Sequence, residues 1–235
     1  MKVGFIADIH GHVEALRIAL DVLAEHRADS ICFLGDAVGY LPGVGAVSIV
    51  QQTCSVCLRG NHEAMLLNPD DLPAHRDAIY QLRATNRQAK ESGLLETIGR
   101  WPERESISAY SSRLLLVHGS PTEPLAGYVY ADTPLEDWDN QGVTHVVCAH
   151  THRPFQRVFA GVTWLNCGSV GLPRDDGRFG SAAMLDLETQ QAQILRFDIT
   201  QATAHALQRV GHVAEEVLAV YERRGAGILE GTVVG

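Results

Sequence analysis

Seven side chains in this sequence carry the donor chemistry of a divalent-cation site, and they arrive in short ordered blocks. Asp8 and His10 stand in Asp8-Ile9-His10-Gly11, Asp36 in Gly35-Asp36, and Asn61 in Gly60-Asn61-His62-Glu63. His118 follows in Val117-His118-Gly119, and the pair His150 and His152 closes the series in Ala149-His150-Thr151-His152. Asp, His and Asn offer borderline-hard oxygen and nitrogen donors, suited to Mn²⁺, Fe or Zn²⁺ rather than to a thiolate centre. Residues two apart on an extended segment point to one side, so Asp8 with His10, and His150 with His152, are expected to converge. The glycines beside the blocks permit close backbone approach.

The elements that must position these blocks can be read from hydrophobic periodicity. Val3 to Ala7 is a continuous apolar run, the mark of a strand buried on both faces. Apolar residues recur at helical spacing from Val13 to Leu23. Ile31 to Leu34 reads as a strand, Val44 to Val50 as a short helix and Cys54 to Leu58 as a third strand. This β-α-β-α-β rhythm implies parallel strands covered by helices, and in such sheets functional residues collect past the carboxyl ends of the strands. The first three blocks stand at those ends. Residues 70–104 read as a polar, largely helical surface excursion. Two strands follow between Ile107 and His118, then a loop from Ser120 to Pro134 and a strand from Val143 to Cys148. Four later runs, Phe155 to Phe159, Val162 to Leu165, Ser181 to Leu187 and Ala192 to Phe197, suggest one antiparallel meander. Gln201 to Arg224 is a helical tail, with loose Gly and Val residues expected after it.

Composition limits the function. Of 235 residues, 46% are hydrophobic and 20% charged, enough apolar material for a core, which excludes a disordered chain. One domain is the economical reading: residues 1–200, with 201–235 as a helical tail of the same domain or a dimerisation element, so a homo-oligomer is open. A net charge of −9 argues against binding long nucleic acids, although bound cations would still admit a small anionic substrate. The first apolar run is too short for a signal-peptide core, and no stretch reaches the length of a membrane helix. A cytoplasmic enzyme without membrane contact is expected. Five cysteines (Cys32, Cys54, Cys57, Cys148, Cys167) have no framework spacing. Cys54-x-x-Cys57 has no second pair to complete a zinc site, so these read as buried thiols.

The ordered blocks resemble the signature of the calcineurin-like metallophosphoesterase superfamily: D-x-H, G-D, G-N-H-[DE], H and G-H-x-H. The runs 35–40 and 166–175 extend the resemblance towards the small bacterial and archaeal predicted phosphodiesterases of that superfamily, over roughly residues 1 to 200. Two departures stand out. Ala149 replaces the usual Gly of the last block, and Gly39 stands where many relatives carry an Asp that is not generally a ligand. The resemblance implies a mixed α/β fold, a four-layer α/β/β/α sandwich of two packed mixed sheets. It implies two divalent ions, Mn first, with Fe, Zn, Ni, Co or Mg as alternatives. Asp8, His10 and His152 would hold one ion, Asn61, His118 and His150 the other, and Asp36 would bridge them. His62 would be the catalytic histidine, acting with Asp36, and Glu63 would orient His62. The implied reaction is hydrolysis of a small phosphodiester or phosphomonoester by in-line attack of a hydroxide held at the two ions.

Other readings stand beside this one. Arg59, Arg153 and Arg174 flank the blocks and could clamp a phosphate, or equally pair with carboxylates. Tyr128, Tyr130 and Trp138 could stack on a base or aromatic leaving group, although packing is the commoner role. The substrate wall is expected from residues 68–104 and from the Ser120 to Pro134 loop. His12, His26, His75, His145, His205 and His212 read as surface or core residues, with His12 close enough to the first block to support it. Residues 35–39 lack the Lys-Ser/Thr ending of a nucleotide-binding loop. A non-catalytic scaffold of the same fold, as in one retromer subunit, is the alternative function. The retained His62 and full ligand set favour the enzyme, and the absence of a basic stripe argues against a nuclease.

Overall fold

The computed structural model describes residues 1–136, 138, 142–225 and 233–234. Strand β1 (Lys2–Ile6) leads through the Asp8 loop to α1 (Val13–Glu25), then β2 (Ser30–Phe33), α2 (Gly45–Thr53) and a short β3 (Val56–Cys57). Helices α3 (Asn61–Leu67), α4 (Ala74–Tyr80), α5 (Leu82–Glu91) and α6 (Leu94–Arg100) follow, with a 3-10 turn at Pro69–Asp71. Then come β4 (Arg104–Ala109), β5 (Ser112–Val117), β6 (His145–Cys148), β7 (Phe155–Phe159) and β8 (Val162–Asn166). The chain continues through β9 (Phe179–Asp186), β10 (Gln191–Asp198), α7 (Thr200–Arg209), α8 (Glu215–Tyr221) and β11 (Val233–Val234).

Two mixed sheets result, one ordered β11-β10-β9-β1-β2-β3 and the other β4-β5-β6-β8-β7. β1, β2 and β3 are parallel, as the helical crossovers between them require. The pleat sends Val3, Phe5 and Ala7 towards the second sheet, where they meet Leu114, Leu116, Val147 and Leu165 in a dry layer. Ile6 and Phe33 point the other way, into the core formed with Leu16, Ala19 and Leu23 of α1 and Val47 of α2. Fully burying one such side chain contributes about 1.5–3 kcal/mol. At Gly4 the missing side chain lets α1 close on the sheet, since Leu23 Cδ2 would lie 2.8 Å from a Cβ there.

The layered mixed α/β sandwich is the expected architecture, with one variation in its outer layers. Helices cover the six-stranded sheet. The outer face of the five-stranded sheet, formed by Val117, Val146, Cys148 and Trp164, is capped by Val129 and Leu135 of the segment after β5. Among the described residues that cap is irregular chain rather than helix. Trp138 belongs to it, lying edge-on to Trp164 at 4.8 Å.

Three sequence expectations change. The four late strands do not form one meander: β7 and β8 pair within the five-stranded sheet, whereas β9 and β10 pair within the six-stranded one. Alternation announces a strand but not its partner. Here β8 takes β6 in parallel, and β9 returns antiparallel to β1. Residues 70–104 are more than a surface excursion, because Leu82, Ala89, Ile98 and Trp101 enter the helical-side core. The tail is two helices interrupted around Gly211, with α7 tied to the Asp8 loop by His12 Nε2 and Thr203 Oγ1 at 3.0 Å. Of the final residues, 226–232 and 235 lie outside the described residues, while β11 pairs parallel with β10. Among the described residues no helix is long and apolar enough to cross a membrane.

Candidate metal centre

The chain ends of β1, β2, β5 and β6 and the first turn of α3 open onto one buried point, and all seven proposed ligand residues reach it. His10 Nε2 lies 3.1 Å from His152 Nε2, and both face Asp8 Oδ1, at 3.6 and 3.3 Å. On the other side His118 Nε2 sits 3.0 Å from Asn61 Oδ1, 3.2 Å from His150 Nδ1 and 3.4 Å from Asp36 Oδ2. Asp36 Oδ2 is also 3.9 Å from His10 Nε2, so its carboxylate stands between the two groups. Three sets, Asp8/His10/His152, His10/Asp36/His62 and Asp36/His118/His150, each bring their donor atoms within 4.8 Å of one another.

The hydrogen bonds behind these side chains decide what the cluster can hold. His10 Nδ1 lies 3.1 Å from Val38 O, His118 Nδ1 2.9 Å from Leu34 O and His152 Nδ1 2.6 Å from Leu172 O. A carbonyl oxygen only accepts, so each Nδ1 carries a proton and each Nε2 is the atom turned into the cluster. Three imidazole Nε2 atoms therefore converge on carboxylate and amide oxygens, which only accept. Asp8 Oδ1 and His150 Nε2 are buried without any hydrogen-bond partner. Acceptors facing acceptors in a dry site repel unless a cation or added protons stand between them. An all-N/O donor set, backed by carbonyls that fix each imidazole, fits a borderline-hard divalent ion.

Electrostatics point the same way. Burial pushes Asp8 and Asp36 upward, but the surrounding imidazoles outweigh it, His152 and His10 for Asp8 and His118 and His62 for Asp36. Both carboxyls are held well below their ordinary value. Burial pulls His118 down, yet Asp36 overrides it and raises His118 to about 9. Burial lowers His150 to about 4 and His62 to about 3.

The backbone reaches this arrangement by a route that residue types did not announce. Asp8, His10, Asp36, His150 and His152 all adopt positive φ, between 51° and 64°. Each pair therefore converges through left-handed turns, not through the alternation of an extended segment. Left-handed backbone costs a non-glycine residue roughly 1–2 kcal/mol, and such residues persist only where neighbours fix them. Here the fixing bonds cross between loops. Ile9 and His10 amides donate to Asp36 O at 2.8 and 3.1 Å, Gly171 N–H donates to Asp8 O at 3.1 Å, and His150 N–H donates to Asp8 Oδ2 at 3.0 Å. Ala149, the departure from the usual Gly, is buried in the inter-sheet core outside the positive-φ region, so its methyl strains nothing.

His62 stands beside the cluster, its ring 4.7 Å from His10, 5.0 Å from Tyr40 and 4.7 Å from Tyr80, with Nδ1 buried and unpartnered. Its amide donates to Asp36 Oδ1 at 2.8 Å. Glu63 does not orient His62. Its carboxylate accepts from the amides of Asp36 and Ala37, both at 2.7 Å, and Gly60, at 2.9 Å, so it locks two ligand loops together. Burial and the nearby Asp36 raise Glu63 to about 7. Gly39 explains itself: its φ is +93°, and a Cβ there would overlap His62 Nδ1. Tyr40 and Tyr80, absent from the sequence reading, form the aromatic wall. Tyr40 lies four residues past Asp36, a spacing that could have flagged it, whereas Tyr80 comes from a distant helix.

The arginines separate. Arg174 Nη2 donates to Tyr40 Oη at 3.2 Å, beside the centre. Arg59 pairs with Glu103 at 2.8 Å, and Arg153 is exposed next to His152. His12 caps α1, its Nδ1 accepting from the Ala15 amide at 3.3 Å, and is fully buried. All five cysteines are free, with Cys32, Cys148 and Cys167 buried and Cys54 and Cys57 half-buried.

The family model of the calcineurin-like phosphoesterase superfamily domain matches residues 1–190. No curated protein matches the sequence. Among solved structures, a metallophosphoesterase from Sphaerobacter thermophilus is 24% identical, with TM-score 0.75 over 94% of this chain and 98% of that one. A hypothetical protein from Pyrococcus horikoshii OT3 is 20% identical, with TM-score 0.76 over 94% and 97%. A novel archaeal phosphodiesterase is 13% identical, with TM-score 0.51 over 83% and 99%. At these identities the likeness speaks for the fold, and the match over residues 1–190 carries the assignment: the chain belongs to the calcineurin-like phosphoesterase superfamily.

Proposed function

We propose that the protein is a dinuclear metal-dependent phosphoesterase acting on a small phosphate ester, a diester in preference to a monoester. The convergence of buried histidine nitrogens on carboxylate and amide oxygens, in two groups that share Asp36, carries this reading. Asp8, His10 and His152 would hold one cation and Asn61, His118 and His150 the other, with Asp36 between them. Two divalent cations held there, Mn²⁺ foremost, would supply neutralisation of phosphoryl charge and a water acidified towards neutral pH. The chain does the rest. Glu63 fixes the spacing of the Asp36 and Asn61 loops through three amides. Burial keeps His62 neutral at pH 7, so it offers an N–H to charge developing on phosphorus or on the leaving oxygen. Arg174, at the rim, fits a further phosphoryl oxygen. Displacement is in line and in one step, so a chirally labelled phosphorus inverts, and retention would contradict the mechanism.

The test is hydrolysis of bis-p-nitrophenyl phosphate and p-nitrophenyl phosphate by metal-stripped protein, before and after Mn²⁺ is added. Activity should appear only with metal and fall about 10²-fold or more in His62→Ala, the scale of losing one transition-state donor. Saturation with metal and no hydrolysis of either ester by the wild type would sink the reading in favour of a scaffold.

A further inference from the structure

A pair of exposed aromatic side chains, Tyr128 and Tyr130, begins directly against the centre. Along residues 127–130 burial alternates strictly: Gly127 and Val129 are buried, Tyr128 and Tyr130 exposed. Val129 is anchored in the outer core of the five-stranded sheet, and the phenol rings on either side of it are left exposed. Their planes differ by only 10° with centroids 6.0 Å apart, a parallel pair left open to solvent at 54% and 38% exposure. Tyr128 is also 4.4 Å from the His150 ring, which itself sits 3.2 Å from His118. The pair thus begins where the ligand cluster ends.

The segment is braced on both sides. Before it, the Gly119 amide donates to Pro124 O at 2.6 Å, Ser120 N–H to Glu123 O at 3.0 Å and Gly127 N–H to Glu123 O at 2.9 Å. After it, the Tyr130 amide donates to Thr133 Oγ1 at 2.7 Å, and Arg157 Nη1 donates to Ala131 O. Holding two large apolar rings in water without covering them is unfavourable, and bracing them there suits a flat partner. A cleft of about 200 Å³ beside Tyr128 adds the hydroxyls of Ser120, Thr122 and Thr133, which can meet the polar edge of such a partner. Trp138 lines the inner side of that cleft but packs on Trp164, so it serves the core.

We infer that Tyr128 and Tyr130 form a stacking platform that selects phosphate esters carrying a nucleobase, with the phosphate at the cation cluster and the base on the tyrosines. The inference rests on the phosphoesterase reading above and names its substrate class. A tenfold preference over a ligand without the base needs about 1.4 kcal/mol, which lies within the strength of one base–aromatic stack.

The experiment titrates Mn²⁺-loaded protein calorimetrically with three ligands: the phosphonate analogue of AMP, the matching ribose phosphonate without base, and inorganic phosphate. The P–C bond prevents turnover during the titration. The wild type should bind the adenosine phosphonate about tenfold or more tightly than the ribose phosphonate. Tyr128→Ala should bring the two within about twofold, while Tyr128→Phe, which keeps the ring, and Tyr110→Ala, an exposed tyrosine on the β4–β5 turn, should keep the preference. Equal affinities in the wild type, or a preference that survives in both Tyr128→Ala and Tyr130→Ala, would overturn the platform and leave the phosphoesterase reading standing. Failure of inorganic phosphate to bind the loaded protein at all would overturn that reading, and the platform with it.

Discussion

The ligand cluster and the tyrosine pair are neighbours built by opposite rules. In the cluster every ligand side chain but the half-buried Asn61 is buried, three imidazoles are pinned through Nδ1 to main-chain carbonyls, and five residues hold left-handed backbone. In the rim the rings are half in water, and only the backbone beneath them is pinned. A site that must hold charged oxygens and cations in one place needs over-determined geometry. A surface that recognises the flat part of a ligand needs only exposed area on a rigid support. The cluster therefore speaks for the reaction and the rim for the substrate, and substitutions in the two regions should fail differently.

The largest failure is expected from Asp36→Asn, which removes the charge shared by both halves. Losing several kcal/mol of transition-state stabilisation predicts a fall of about 10³-fold in kcat/KM on every ester, with the ratio among esters unchanged. Gly39→Ala comes next. Its Cβ would overlap His62 Nδ1 at a φ that alanine resists, so His62 must shift and kcat should fall about 10²-fold while metal content holds. A purely structural loss, with Tm reduced and kcat per folded molecule intact, would contradict this.

His12 tests the support beneath the first ligand loop. It is neutral where it caps α1 and meets Thr203, and burial lowers it to about 4. The unfolded chain takes up this proton near 6.5 and the folded chain only near 4, so stability is lost as pH falls through that window and is fully present above it. The contribution is on the order of 3 kcal/mol. Urea unfolding of metal-free protein at pH 7 and pH 4 should show that much extra acid sensitivity in the wild type relative to His12→Asn. Equal sensitivity would place His12 outside the acid response. The smallest expected effect is the roughly tenfold loss of base preference in Tyr128→Ala, and it should leave the metal count alone.

The ligand blocks were legible because donor type and strand-end position are both local properties. Asp8, Asp36, Asn61, His118 and the His150/His152 pair needed only the apolar runs before them to be placed at one end of the sheets. How they converge was not legible, because nothing in Asp8-Ile9-His10 announces two left-handed residues; bonds from Gly35, Asp36 and Gly171, distant in sequence, impose them. The role of Glu63 was missed for a related reason. Its neighbour in sequence is His62, but its hydrogen bonds go to the backbone of another loop. The split of the late strands between two sheets was likewise hidden, since alternation is blind to partner choice. Tyr128 and Tyr130 could be flagged by type, but only their parallel pairing and the contact of Tyr128 with His150 separate them from the packed Trp138.

The claim on which everything else stands is that Asp36 joins two cation sites, and counting metal tests it most directly. Metal-stripped wild-type protein, equilibrated with Mn²⁺ and freed of excess, should carry two ions per chain by elemental analysis. Asp36→Asn should carry clearly fewer while remaining folded. A folded wild-type chain that retains one ion or none, or an Asp36→Asn chain that retains two with unaltered affinity, would contradict the account.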